Sequence, residues 1–114
     1  MKIIRLDEIE GKNITQYDSN VIMRKVLMTQ EPSHVGIVHL EKGGIIGFHD
    51  ATVSQILLII EGEGWVRTST EDKVRVTAGD AILWEQGEGH ETTTTVGMKA
   101  IVIESKGLDI SSFL

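Results

Sequence analysis

The sequence predicts an all-β domain, an antiparallel jelly-roll β-barrel, on three observations. Val, Ile, Leu and Thr dominate the chain, Pro32 is its single proline, and twelve glycines punctuate short apolar runs. Glycines between short β-branched segments mark turns in an all-β fold. No stretch long enough for a helix carries clean helical periodicity. About ten short strands on 114 residues cannot form one open sheet without curling, so they close into a barrel or a two-sheet jelly roll.

The elements follow in order. Lys2–Leu6 reads as a first strand, and 7–20 as a polar connection with some helical-turn character. Val21–Thr29 reads as a strand that Glu31-Pro32-Ser33 breaks; His34–Glu41 is the next and stops at Gly43-Gly44. Ser54–Ile60 and Glu63–Ser69 follow, with Gly62 and Gly64 marking a tight bend or bulge between them. In Lys73–Thr77, Val74 and Val76 alternate with Arg75 and Thr77, one face in and one out. Ala81–Trp84, His90–Thr95 and Met98–Glu104 complete the strands, and 107–114 reads as a short helical turn or a packing arm. The aromatics are only Tyr17, Phe48, Trp65, Trp84 and Phe113, so the core is expected to be aliphatic.

The totals bound the function. With 114 residues the chain fits one domain, 1–114, and no linker or repeat divides it. A domain of this size buries roughly two-thirds of its unfolded surface, enough for one core without staples. The absence of cysteine excludes disulfides and thiolate metal sites, so any metal must take nitrogen and oxygen ligands. A net charge of −6 and no basic stripe argue against nucleic acid. Eight of the 17 acidic residues fall between Glu61 and Glu91, which reads first as a solvated charged surface. No run approaches the roughly 20 apolar residues that span a bilayer, and the start MKIIRLDEIEG lacks the apolar stretch of a signal peptide. The expectation is a cytoplasmic protein with no membrane partner.

Two segments carry the functional signal. One runs from Gly43 through His49 and Gln55 to Gly62; the other runs from Gly79 through Gly87 to His90. Each pairs a glycine turn with a histidine six or eleven positions later. Gly43, His49, Ala51, Gln55 and Gly62 fall on the positions of the first cupin motif, which is glycine, five residues, His-x-His, three or four residues, Glu, six residues, glycine. Gly79, Glu85, Gly87, His90 and Thr94 fall on those of the second, which is glycine, five residues, Pro-x-Gly, two residues, His, three residues, Asn. The chain therefore resembles the cupin superfamily over 43–94, as a small single-domain member with a degenerate metal motif.

That resemblance implies a cupin barrel with a pocket for a small molecule, and a homodimer in which the strand Lys2–Leu6 and the tail Phe113-Leu114 serve as packing elements. In metal-binding cupins three histidines and a glutamate converge on the ion. Here Ala51 replaces one histidine and Gln55 the glutamate. His49, His90 and Gln55 are the remaining candidate metal ligands, for a divalent ion that the residues do not distinguish among zinc, iron, manganese and nickel. Two imidazoles and an amide oxygen are three neutral donors, weaker than the usual sets with a carboxylate or a third imidazole. A missing donor could come from His39, Glu91 or Glu85. Glu91 and Glu85 are also the candidate bases, and Gln55, His39, Trp65 and Trp84 the candidate ligand contacts. Large aromatics more often serve the core, and His34 reads as a surface residue.

Three functions stay open at this stage. One is a metal-dependent enzyme of dioxygenase, isomerase or lyase type, with the ion as Lewis acid. The second is a metal-free ligand-binding or sensing module. The third is a structural or partner-binding protein whose pocket is a relic. The fold does not choose among them.

Overall fold

In the computed structural model, which describes residues 1–111, the strands are β1 (Lys2–Arg5), β2 (Gly11–Ile14), β3 (Val21–Arg24), β4 (Met28–Thr29), β5 (His34–Leu40), β6 (Ile45–Asp50), β7 (Gln55–Thr68), β8 (Val74–Thr77), β9 (Asp80–Trp84), β10 (Gly89–Thr93), β11 (Met98–Glu104) and β12 (Leu108–Asp109). The expected packing element Phe113-Leu114 lies outside the described residues. All pairings are antiparallel, and no α-helix occurs among the described residues. No helix among them is long and apolar enough to cross a membrane.

The sheet organisation turns on β7. Its first half pairs with β11 on one side and β9 on the other, which extends to β5 and β1 at the two edges. Its second half pairs with β8 and with β10, which carries β6. One 14-residue strand thus passes from one layer to the other, and the two layers close face to face as a jelly roll. The bend expected at Gly62 and Gly64 is present, but it lies within one strand rather than between two. Gly62 has φ +82°, and a Cβ there would stand 2.1 Å from the Gly97 carbonyl oxygen. Only glycine lets β11 approach this closely, and the β7–β11 register shifts beside it, between Lys99 and Ala100.

Alternation puts the aliphatic residues inside. Leu40, Leu57, Ile59, Val66, Val76, Ile82, Trp84, Met98 and Ala100 form one buried cluster from both layers. Val76 is buried as expected, whereas Val74, on the same face at the strand start, is exposed.

The region 7–20 has the expected helical-turn character in two short 3-10 turns, Leu6–Glu8 and Gln16–Asp18, but it also holds the strand β2, which the sequence reading lacked. That strand forms a hairpin with β3, so Val21–Thr29 divides into β3 and β4. Of the two readings of the tail, a helical turn or a packing arm, the segment β12 follows the second: it is extended and pairs with β4. The strand β6 has no counterpart in the sequence expectation; its pattern is almost wholly exposed and lacks the alternation that marks a half-buried strand.

Candidate functional site

His49 and His90 are 41 positions apart in the chain, yet they are direct partners across β6 and β10. Their ring centroids are 4.6 Å apart at an interplanar angle of 55°. A register shift between His90 and Thr92 adds a residue to β6 at Gly47-Phe48. That bulge changes the parity of the strand, so both Ile46 and His49 reach the interior.

The backbone fixes both rings. His49 Nδ1 lies 2.7 Å from the Gly47 carbonyl oxygen, and His90 Nδ1 lies 3.0 Å from that of Glu88. A carbonyl only accepts, so each Nδ1 carries the proton and donates. In the neutral rings each Nε2 then holds a free lone pair, the arrangement that orients a metal-ligating histidine. His90 also stacks on Trp84, with centroids 4.1 Å apart at 15°. Burial lowers the pKa of His90 below the ordinary 6.5; the Glu88 carbonyl opposes this, and the neighbouring His49 adds to it.

These rings open on a cavity of about 130 Å³ between the layers. Val38, Ile46, Leu57, Thr92 and Val102 give it an apolar wall with one hydroxyl, and His49, Gln55, Trp84, His90 and Glu104 supply the polar groups. Gln55 pairs with Trp84 across β9 and with Glu104 across β11, and Glu104 pairs with His34 across β5. Residues directly opposite in a ladder share a face. Glu104, Gln55 and Trp84 therefore form one polar row on the inner face of the first layer, lining the cavity with the histidine pair, and the exposed His34 continues the row outside the cavity. Among the described residues the Trp84 indole N–H is the one buried side-chain polar atom without a hydrogen-bond partner.

The cavity brings together His49, His90, Gln55 and Trp84 of the residues expected from the sequence. Glu91, Glu85, His39 and Trp65 do not line it, so the expectation that they sit at the pocket is corrected. Neighbours in a strand point to opposite faces. His90 faces in, so Glu91 faces out, where it accepts bonds from Arg67 at 2.9 and 3.3 Å; the same guanidinium stands 4.9 Å from the Phe48 ring. His39 lies between the inward Val38 and Leu40 and faces an outer groove. Trp65 precedes the core residue Val66, and Lys73 Nζ stands 5.1 Å from its ring. Glu85 is exposed beside a larger groove of about 630 Å³. That groove holds no imidazole, and the convergent polar groups make the smaller cavity the candidate site.

Glu104 was not among the expected site residues. The alternation Ala100-Val102-Glu104 on β11 could have found it, since the first two face the core or the cavity. Among the described residues no group of three or more His, Asp or Glu side chains stands ready to hold a metal. The donors at hand are two imidazole nitrogens and the Gln55 amide oxygen. By chemistry they fit a borderline divalent cation that keeps open positions, without a charge to neutralise it.

No family model matches the chain, and no curated protein matches it. Solved structures do. A cupin superfamily protein of Desulfitobacterium hafniense superposes with a TM-score of 0.60 at 13% identity, over 68% of this chain and 69% of that one. A double-stranded β-helix protein of Klebsiella pneumoniae gives 0.61 at 20%, over 75% and 76%. The DMSP lyase DddQ of Ruegeria pomeroyi gives 0.61 at 22%, over 66% of this chain but only 39% of the lyase. At these identities the likeness shows the fold, which is that of the cupins.

Proposed function

We propose that this chain, whose fold is the cupin fold, binds a small polar molecule in the cavity between its layers, on a divalent metal held by His49 and His90 with Gln55 as a further donor. One observation carries the reading. Two imidazoles meet as a cross-strand pair, each with Nδ1 tied to a carbonyl, so two Nε2 lone pairs converge on one cavity. A relic pocket has no reason to keep both rings oriented. When bound, the metal would act as a Lewis acid toward an oxygen of the ligand. The protein's own part is to orient that ligand: the Gln55 amide offers a donor and an acceptor, Thr92 a hydroxyl, and the aliphatic wall excludes water.

A metal-free binding module is the second reading. It is favoured by the lack of a third charged or imidazole donor among the described residues and by the unpaired Trp84 N–H, which can meet an acceptor but never a cation. One experiment separates the two. Metal-depleted protein is titrated calorimetrically with Zn²⁺, Ni²⁺ and Mn²⁺, alongside the His49→Ala/His90→Ala double variant. Uptake of one ion per chain by the parent, lost in the variant, is the expected result. No uptake by the parent, or equal uptake by both, refutes the metal reading.

A further inference from the structure

The hairpin of β2 and β3 stands apart from both layers. It forms a two-stranded sheet of its own, and among the described residues neither strand pairs with any other. A lone two-stranded ribbon is marginal in water. This one nevertheless exposes Val21, Ile22 and Met23 by half or more, and Tyr17 in the turn at its tip by 96%. Arg24 ties its base to the Ile9 carbonyl oxygen.

The same chain carries a surface of matching chemistry. Strand β5 is an edge of the first layer: it pairs with β11 and with no other strand among the described residues. Free edges are normally short, charged, bulged or interrupted by proline. The other edges follow that rule. β1 has four residues with Lys2 and Arg5, β8 has four with Arg75, and β6 carries Asp50 and a register shift. β5 does not follow it. Its seven residues include no Asp, Glu, Lys, Arg or Pro, and its register with β11 is unbroken from His34 to Leu40. On its outer face Val35 and Ile37 are 61% and 67% exposed, and they continue onto their β11 partners Ile103 and Ile101.

Both surfaces present an unpaired row of backbone groups beside exposed aliphatic side chains, and the strands β2, β3 and β5 bear no acid. With Lys12 and Arg24 against Asp18, the arm 11–24 is +1 on a chain of −6, so charge favours its approach to another copy. A second copy carries the same two surfaces, and a two-fold axis closes both contacts at once. Each copy then covers Tyr17, Val21, Ile22, Met23, Val35 and Ile37. Those side chains expose several hundred Å² of apolar surface, against the roughly 800 Å² that each partner gives to a standard interface.

We infer that the chain forms a symmetric dimer in which the β2–β3 arm of each copy lies along the β5 edge of the other, β3 extending the first layer by strand addition. The dimer is independent of the metal reading. It moves the interface from the first strand, which pairs with β9 of its own chain, to the arm.

Sedimentation velocity over a concentration series tests this on the parent and on Ile22→Lys, Ile37→Lys and Val74→Lys. All three positions are exposed, so each variant should fold, and circular dichroism checks that it does. The parent is expected to be a dimer. Ile22→Lys and Ile37→Lys are each expected to weaken it at least about tenfold, while Val74→Lys, on the second layer, leaves it unchanged. A monomeric parent overturns the inference. So does a dimer that only one of Ile22→Lys and Ile37→Lys breaks, since arm and edge would then not meet, or one that both leave intact. The chain lacks cysteine, so Ile22→Cys/Ile37→Cys locates the contact directly. A short bismaleimide should link two copies of it into a covalent dimer. Linkage within one chain alone would put the arm on its own β5 edge and overturn the exchange.

Discussion

The two ends of this barrel are built from the same strands and have opposite chemistry. On its inner face β5 carries Leu40 at one end and His34 at the other; β11 carries Met98 and Glu104; β7 carries Ile59 and Gln55. The closed end is packed with aliphatic side chains from both layers. The open end holds two imidazoles, an amide, a carboxylate and an indole N–H with few internal partners. Burial of apolar surface at the first end stabilises the fold. The second end contributes little to folding, because unpaired polar groups cost free energy when buried. Stability and function are thus separated along the strand direction, as expected when a site is held ready for a ligand.

The sharpest test of that separation is a cavity at the closed end. Ile59→Ala removes a fully buried side chain and should cost about 3–4 kcal/mol in urea unfolding. A loss under about 1 kcal/mol would mean that the closed end is not the stabilising one. Gly62→Ala should cost about 2–3 kcal/mol, since the new Cβ meets a backbone oxygen that cannot move without shifting β11.

At the open end the sign should reverse. Gln55→Leu exchanges an amide that faces the cavity for an apolar group of similar size. It should raise stability by about 1 kcal/mol while weakening metal or ligand uptake. A clear destabilisation would show that the amide is structurally satisfied and would erase the contrast between the ends.

A pH series sharpens the same contrast without changing the site's shape. The pKa of His90 is lowered in the folded chain, chiefly by burial. The unfolded chain therefore takes the proton first as pH falls through about 6.5. Acidification then favours unfolding, and the loss grows until the folded-state value is passed. Above pH 7 this group contributes no slope. Urea midpoints should fall from pH 7 toward 5.5, and His90→Gln should flatten the fall. An equal fall in both proteins would assign it to other groups.

How much of this was readable beforehand depends on the distance over which each feature is encoded. Glycine spacing and the two histidines are local signals, and they were enough to indicate the barrel and the meeting of His49 with His90. Strand β6 was not legible, since Gly47 and an exposed face mask its pattern. Nor was the pairing of β2 with β3, which form a two-stranded hairpin outside the main sheet. The row His34–Glu104–Gln55–Trp84 spans four strands, and its members become neighbours only through the register. Glu91 and Glu85 were chosen because they adjoin the second motif in sequence, and adjacency in a strand means opposite faces.

That last distinction yields the smallest effect and a clean one. Arg67 and Glu91 are paired on the outer face, partly open to solvent. Breaking such a pair costs at most about 0.5–1 kcal/mol, and less at high salt. Glu91→Gln should therefore shift the urea midpoint slightly and leave calorimetric metal uptake unchanged, whereas His90→Gln should lower uptake. The two residues are neighbours on β10, and what separates them is the face of the sheet each side chain occupies. Equal effects of the two on uptake would mean that orientation does not matter, which would undo the geometric assignment of the site.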